Sequence, residues 1–325
     1  MPGLTRRTAL TTALGAAASL PVCGAAVSAE IATARPFFTE ANLPIGVQLY
    51  TLGPDLAARL DADLAELVAA GIGEVELAGH LGRSPPELRK AIERAGLKCP
   101  SAHVPTRQGG AEPDLETRLP QVIKDAQDLG LEYVVMPFFY IPDRFASGPA
   151  SGEDGLAFIR RVVGALTVDD WKSCADFANR TAKALHAEGL KFAYHNHNPE
   201  FAPIGGTTGF DILMAHTDPD LVKVEMDAGW AFAAGQDPIG LLNAHPGRFR
   251  LMHVKDVKAT TRTNFHFAQD PTEVGSGVMD WAHILPAARA AGVTHFFVEQ
   301  EPPYAGPRMA SIRKSSRYLQ GLVAR

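Results

Sequence analysis

The sequence has few cysteines, no long apolar run and no marked excess of either charge. Its 325 residues include three cysteines, Cys23, Cys99 and Cys174, and none of them stands in a Cys-x-x-Cys or Cys/His finger pattern. The spacing therefore predicts no structural zinc site of that kind. Whether Cys99 and Cys174 pair depends on the fold, and the sequence leaves this open.

The charge balance also excludes some partners. The chain has 31 Lys and Arg residues against 36 Asp and Glu residues, for a formal net charge of -5. Proteins that bind nucleic acids normally present a basic face to the phosphate backbone, so no nucleic-acid partner is predicted. The sequence has no GxSxG elbow or P-loop, and no GxGxxG follows the first predicted strand. Acyl transfer and nucleotide hydrolysis thus have no support.

Residues 1–29 have the pattern of a cleavable export signal. Arg6 and Arg7 precede an alanine-rich, mildly apolar stretch, and positions 27 to 29 carry a small-x-small cleavage pattern. The paired arginines are typical of the twin-arginine route and predict a periplasmic or otherwise exported protein. The apolar stretch is shorter than the ~20 residues of a membrane span, so no membrane association is expected after cleavage. Residues 30–43 are predicted to be a linker.

Residues 44–325 alternate between short apolar runs and helical patterns. Strand patterns occur at 45–51, 74–79, 98–104, 132–139, 191–197, 222–228, 250–256 and 295–301. Helical periodicity separates them, except that the long excursion 140–166 has the composition of a loop near its middle. Strict alternation requires a parallel sheet covered by helices, and eight units close a barrel. We therefore predict one α/β domain, a (β/α)8 TIM barrel.

Polar residues gather at the predicted carboxyl ends of these strands, where TIM-barrel active sites lie. The last four strands each carry two polar residues that share a face: His195 and His197, Glu225 and Asp227, His253 and Lys255, Glu299 and Glu301. Each residue alone could be a hydrogen-bonded core group or an ion-paired rim group. Together, His195, Asp227, His253 and Glu299 predict nitrogen and oxygen donors for one divalent ion, namely Mn, Co, Mg or Zn.

Several segments carry a family resemblance. IGVQLYTL, EVELAGH, LKCPSAHV, YHNHNPEF, VEMDAGW, LMHVKD, EVGSGVMDW and FFVEQE occur in this order. Together they resemble the sugar phosphate isomerase/epimerase family, which has the xylose isomerase-like TIM barrel fold, and the resemblance covers residues 44–322. Such proteins hold a metal through Glu, Asp, His and Glu on strands five to eight. His195 stands where the first Glu is usual, with Glu200 five residues on, and we favour His195 as the ligand.

The resemblance implies a metal-dependent sugar isomerase or epimerase that acts through a metal-stabilised enediolate. On this basis Glu200, His197 and Lys255 are the acid/base candidates, although Lys255 has the alternative role of a fixed cation that holds Asp256. The residues expected to contact the substrate, a small-molecule carbohydrate, are Gln48, Glu76, His103, Trp230 and Glu301.

Two further functions remain open from the sequence. A lyase or dehydratase of 3-keto-glycosides or inosose-like keto-sugars would use the same site, and export favours it, because phosphorylated sugars are mainly cytoplasmic. A non-catalytic sugar-binding protein would be expected to have a damaged donor set, whereas this set is nearly complete. The sequence does not decide between a monomer and a homo-oligomer.

Overall fold

A computed structural model describes residues 35–107 and 112–325, and eight parallel strands in it form a closed barrel. Each strand pairs with its neighbours in the chain, and the first pairs with the eighth. In chain order they are β1 (Gly46–Gln48), β2 (Glu74–Leu77), β3 (Lys98–His103), β4 (Tyr133–Met136), β5 (Lys191–His195), β6 (Val222–Asp227), β7 (Phe249–Val254) and β8 (His295–Val298). The predicted TIM barrel is confirmed.

Helices cover the outside of the barrel. They are α1 (Phe37–Glu40), α2 (Leu56–Ala69), α3 (Pro85–Ala95), α4 (Leu119–Leu129), α5 (Gly155–Val163), α6 (Val168–Ala187), α7 (Gly209–His216), α8 (Ala228–Ala233), α9 (Pro238–Ala244), α10 (Trp281–Ala291) and α11 (Arg308–Gly321). No helix in the described ranges combines the length and the apolar character that a membrane crossing requires.

Three helices lie where the sequence predicted none, namely the short α1 in the predicted linker, α5 and α8. Helix α5 falls inside the excursion 140–166; Asp154 caps it by accepting a hydrogen bond from the Ala157 amide at 2.8 Å. It buries Phe158 and Val162 alone, too few apolar positions for a clear helical period. Helix α8 is one and a half turns long, which is also too short to show periodicity.

Part of the predicted linker packs on the barrel. Phe37 and Phe38 are buried, and their rings meet Phe296 of β8 at centroid distances of 5.9 and 5.7 Å. The Phe37 amide also donates to the carbonyl of Leu322 at 2.7 Å. The segment from residue 35 onward therefore belongs to the folded unit. The predicted export signal lies outside the described residues and stays a prediction.

The side chains inside the barrel form an apolar layer, followed by a polar layer toward the carboxyl ends of the strands. Tyr133, Val135, Ala193, Leu251 and Phe297 form a buried apolar cluster on the strands. Because side chains alternate along a strand, the residues two positions further toward the carboxyl ends face the same interior. Two positions beyond Ala193, Leu251 and Phe297 lie His195, His253 and Glu299, which are polar residues of the candidate site. Cys99 and Cys174 are free thiols and do not pair.

Candidate metal centre

The barrel brings the predicted donors of β6, β7 and β8 together. Asp227 pairs with His253 in the β6–β7 register, and Glu299 directly follows β8. His253 Nδ1 lies 3.0 Å from Glu299 Oε2 and 3.8 Å from Asp227 Oδ2. One donor atom from each of these three residues lies within 4.8 Å of the others. His195 Nε2 lies 3.9 Å from Asp227 Oδ2, and His195 also belongs to a second group of potential donors together with His103, Glu225 and His253.

Two buried carboxylates stand behind these histidines. Glu225 Oε2 is 2.9 Å from His195 Nδ1, and Glu76 Oε1 is 2.7 Å from His253 Nε2. His195 thus uses one nitrogen on a carboxylate and directs the other toward Asp227, whereas both nitrogens of His253 lie on carboxylates, and an ion bound at Glu299 would take the place of the Nδ1 proton. This is how metal-binding histidines are oriented, because the second hydrogen bond fixes the tautomer that leaves a lone pair for the ion. The residues present therefore fit a divalent ion.

The charges of the cluster favour a cation. Five carboxylates meet here: Glu76, Glu225, Asp227, Glu299 and Glu301. Burial raises the pKa of Glu225 to about 7 and that of Asp227 to about 6. Burial also keeps the pKa of His195 well below its ordinary value, so this imidazole is neutral. Although burial opposes the charged form, Glu225 and Glu299 raise the pKa of His253 well above its ordinary value, so a divalent cation bound there would replace the proton that this imidazole otherwise holds.

Gln48 and Glu76 do not face the cleft, contrary to the expectation that they contact the substrate. Both are fully buried, and Gln48 Nε2 donates to Glu76 Oε1 at 2.9 Å. Ser101 Oγ donates to the other oxygen of Glu76 at 2.7 Å. Glu76 is therefore held in place to orient His253. His103, another expected substrate contact, does line the cleft and also bonds Glu225 at 2.8 Å.

Glu225 is a site residue that the sequence reasoning did not select. The signal was available, since Glu225 lies two positions before Asp227 and must share its face of β6. Residue spacing predicts which face of a strand a side chain takes, but not its position along the barrel axis. For this reason the sequence alone did not identify Glu225 as a site residue. Its partners are His103, His195 and His253.

Lys255 is a fixed cation at the top of the cluster. Its Nζ lies 2.7 Å from Asp227 Oδ2, 2.6 Å from Glu299 Oε2 and 2.9 Å from Glu301 Oε1. Although burial opposes the charged form, Asp227 and Glu299 raise the pKa of Lys255 well above its ordinary value. The side chain cannot serve as a base in this state. The expected role of Lys255 in proton removal is thus replaced by an electrostatic one.

Asp256 is held by backbone amides, so the alternative pairing with Lys255 is wrong. Its carboxylate accepts hydrogen bonds from Gly275 N at 2.8 Å, Met279 N at 3.2 Å and the Trp281 indole at 3.0 Å. A Cβ on Gly277 would lie 2.1 Å from Asp256 Oδ1, so this close approach requires glycine. Glycine-rich turns can bind phosphate through their amides. In the turn formed by residues 275–277, which we call the Gly-Ser-Gly turn, the amides of both glycines already donate to the Asp256 carboxylate.

His197 lies in the cleft, beside the cluster. Its ring is 4.8 Å from His195 and lies among Phe138, Phe267 and Trp230 at 5.4 to 5.7 Å. Burial holds the pKa of His197 well below its ordinary value, and Nδ1 has no hydrogen-bond partner among the described residues. The lowered pKa makes this imidazole a weak base, so it can take a proton only from a substrate carbon that is itself made acidic by the site. The expected acid/base role fits this placement.

Trp230 and Glu301 also lie where a substrate could contact them. Both line a cleft of roughly 510 Å³, which is within the usual range for small-molecule sites. The Trp230 indole donates to Glu301 Oε1 at 3.2 Å, and Lys255 Nζ lies 5.1 Å from the center of the same ring. The ring is therefore fixed in orientation at the edge of the cluster.

Glu200 is placed away from the cluster, contrary to its expected catalytic role. The short 3-10 turn Pro199–Phe201 directs it behind β5, where it is fully buried. There the Tyr194 hydroxyl donates to Glu200 Oε1 at 2.7 Å. Tyr194 alternates with His195 and so points to the helix layer. Of the two fifth-strand candidates, His195 reaches the donor cluster and Glu200 supports the loop.

Glu200 should make stability depend on pH. Burial raises its pKa to about 7, from an ordinary value of 4.5. A carboxyl group whose pKa is raised on folding stabilises the fold below pH 4.5 and loses that contribution as pH rises through 7. Relative to Glu200→Gln, wild-type protein should lose on the order of 3 kcal/mol of unfolding free energy between pH 4.5 and 8. Denaturant unfolding at both pH values measures this change. Glu93→Gln, at an exposed position, is the control. If the difference in unfolding free energy between wild-type protein and Glu200→Gln is the same at both pH values, the prediction is wrong.

The fold and the donor cluster define a TIM-barrel protein with a candidate divalent-metal centre at the carboxyl ends of its strands. The chain belongs to the xylose isomerase-like TIM barrel family, whose model matches residues 54–322. This confirms the resemblance at the level of the family.

Individual relatives cover most of the chain. It is 28% identical over 286 residues to an inosose dehydratase of Geobacillus thermodenitrificans strain NG80-2, covering 82% of this chain and 91% of that one. A sugar phosphate isomerase/epimerase structure from Parabacteroides distasonis ATCC 8503 superposes with a TM-score of 0.65 at 25% identity, covering 84% and 96%. The IOLI protein, whose structure binds a zinc atom, shares the fold at 16% identity and a TM-score of 0.57, covering 86% and 99%.

Proposed function

We propose that the protein is a divalent-metal-dependent lyase that eliminates water or an alcohol from a cyclic keto-polyol such as an inosose or a 3-keto-glycoside. The observation that carries this proposal is the position of the His197 imidazole, which lines the cleft 4.8 Å from the His195 ring, beside a donor cluster that contains a fixed ammonium group. The similarity to inosose dehydratases over most of both chains supports elimination over isomerisation.

His195, Asp227, His253 and Glu299 would hold the ion, which supplies Lewis-acid polarisation of the substrate carbonyl. His197 removes the proton from the carbon next to that carbonyl. Electrons of the broken C–H bond form the new C=C bond as the β-oxygen leaves. The proton held by His197 then returns to the departing oxygen, so water or an alcohol is released and the imidazole is neutral again.

The remaining groups act by position and charge. The Lys255 ammonium, fixed by three carboxylates, adds positive potential where negative charge develops on the substrate oxygen. Trp230 offers an indole face for the apolar side of the ring, and its orientation is set by Glu301. His103 can hydrogen-bond a substrate hydroxyl from the cleft wall.

Isomerisation or epimerisation is the second candidate, because it begins with the same proton removal. It is favoured by the likeness to the Parabacteroides distasonis sugar phosphate isomerase/epimerase structure. The two reactions separate after the proton has left: a lyase expels the β-oxygen, and an isomerase or epimerase returns the proton to carbon.

Incubation in deuterated water distinguishes these functions. Protein loaded with Mn²⁺ is mixed with an inosose, a 3-keto-glucoside or free glucose, and the products are followed by NMR and mass spectrometry. A lyase releases water or the aglycone, and His197→Gln should slow that release by about 100-fold or more. Deuterium in recovered or epimerised sugar without release supports the isomerase instead. No exchange with any substrate would support a sugar-binding protein and contradict both enzymes.

A further inference from the structure

We propose that the outer half of the cleft is a binding subsite for an uncharged aromatic substituent on the substrate ring. This inference rests on the proposed function and extends it to the class of substrate. We define the apolar wall as Phe138, Leu156, Ile159 and Phe267, which line the same cleft as His197 and Trp230. The wall is therefore continuous with the position proposed for the reacting ring.

The wall leaves apolar surface open to solvent. Leu156 is 46% exposed, and Tyr50 across the cleft is 55% exposed. Large apolar side chains that remain exposed at a cleft mark a surface that a ligand or partner covers. Since this surface forms part of the cleft that contains Glu299 and Glu301, a group carried by the substrate is the occupant that reaches it.

Phe267 is held in an unusual conformation that places its ring in the cleft. Its φ is +59°, in the left-handed region that a bulky residue rarely adopts. The Phe267 amide donates to Asn198 Oδ1 at 3.2 Å, and Asn198 Nδ2 donates to Asn264 Oδ1 at 2.7 Å. Asn198 is fully buried directly after His197. Strain that buried groups maintain beside a catalytic residue indicates a functional position.

The apolar wall comes from three segments, which are fixed to one another. Phe138 follows β4 and stacks on Phe267, with centroids 5.5 Å apart and planes at 19°. Helix α5, which contributes Leu156 and Ile159, is tied to the Phe267 loop by the Arg160 guanidinium, which donates to the His266 carbonyl at 2.8 Å. A preformed, rigid aromatic surface loses little entropy when a flat group stacks on it.

The charge of the cleft selects against phosphate. Within the described ranges, the residues that line it include Glu299 and Glu301 and no arginine or lysine. The nearby Lys255 is already bound by three carboxylates, and the Gly-Ser-Gly turn holds Asp256. Among these lining residues a phosphate group would therefore find no arginine or lysine side chain to bind it. The substituent is therefore uncharged, and the stacked rings favour an aromatic group.

Binding of three probes to Mn²⁺-loaded protein tests the subsite. Titration calorimetry should show 4-nitrophenyl β-D-glucopyranoside binding about ten-fold more tightly than methyl β-D-glucopyranoside, as expected for one aromatic stacking contact. Phe267→Ala and Phe267→Leu should each bring the affinities for the two glucosides to about the same value, whatever their effect on the methyl glucoside itself. Asn198→Ala should act in the same direction, because Asn198 positions Phe267. Phe145→Ala is the control, since Phe145 does not line the cleft.

Two outcomes overturn the subsite: equal affinities of wild-type protein for the two glucosides, or a preference that persists in both Phe267 variants. Tighter binding of glucose 6-phosphate than of the methyl glucoside would contradict the uncharged substituent. Because binding requires no turnover, the result is independent of the reaction. Aryl-glucoside preference without elimination rejects the lyase alone, and elimination without the preference rejects the subsite alone.

Discussion

Asp227→Asn is expected to abolish tight binding of the divalent ion. Asp227 contributes an anionic oxygen to the donor cluster, and His253 and Glu299 share its position at the strand ends. Removing this charge should weaken metal affinity by more than about 100-fold, since even residues behind the ligands typically contribute 10- to 100-fold. After dialysis, the metal content of the variant should fall from one ion per chain to near zero, and elimination should be lost with it.

The choice of asparagine keeps the backbone contact of Asp227 intact, although it removes the ion pair with Lys255. Its Oδ1 accepts a hydrogen bond from the Trp230 amide at 2.8 Å and caps α8, and an amide oxygen accepts the same bond. Asp237→Asn is the matched control, because Asp237 caps α9 from an exposed position outside the cluster. Equal metal content in wild-type protein and Asp227→Asn would show that our ligand assignment is wrong.

Much of the fold could be predicted because its signals are local and repeated. The eight strand positions follow from short apolar runs, and the long helices from a 3.6-residue period such as that of Leu56, Leu60 and Leu64. Helices α5 and α8 were missed because α5 buries only Phe158 and Val162 and α8 is only six residues long, so neither shows a period. Their caps, Asp154 and Asp227, were visible in the sequence, but an aspartate alone does not distinguish a cap from a charged turn.

For each site residue, the sequence predicts which face of its strand the side chain takes. His195, Asp227, His253 and Glu299 converge as alternation requires. Alternation gives no depth along the barrel axis, so Gln48 and Glu76 could not be recognised as supports behind His253. Loop geometry was equally inaccessible. The 3-10 turn that directs Glu200 to Tyr194 arises from local backbone conformation and packing, and five residues of sequence separation do not reveal it.

The backbone also decided the role of Lys255, which the sequence left open between a base and a partner of Asp256. Residues 255 and 256 point to opposite sides because they are adjacent on an extended segment. Lys255 faces the carboxylates inside the barrel, and Asp256 faces the amides of the Gly-Ser-Gly turn. The same motif thus contributes one residue to the charge of the site and one to the rigidity of the loop beside it.

Lys255→Met should make the folded state depend on a bound ion. Without the ammonium, Asp227, Glu299 and Glu301 would repel one another at a site where Lys255 is 1% exposed. Loss of one partner from a buried ion pair costs about 3 kcal/mol or more. In chelator the variant should unfold at clearly lower denaturant concentration than wild-type protein, and Mn²⁺ should restore much of the difference because the ion replaces the missing positive charge.

The neighbouring Lys258→Met provides the contrast. Lys258 pairs with Asp270 at 2.8 Å, but both side chains are substantially exposed, so solvent screens the pair and its removal should change stability little. The two variants remove the same group three positions apart, but Lys255 is buried against three carboxylates and Lys258 is exposed beside one. A Lys255→Met protein that unfolds like wild type in chelator would mean that the carboxylates there hold protons. The ammonium would then not be the charge that balances them, and its proposed role in stabilising a developing oxyanion would fail with it.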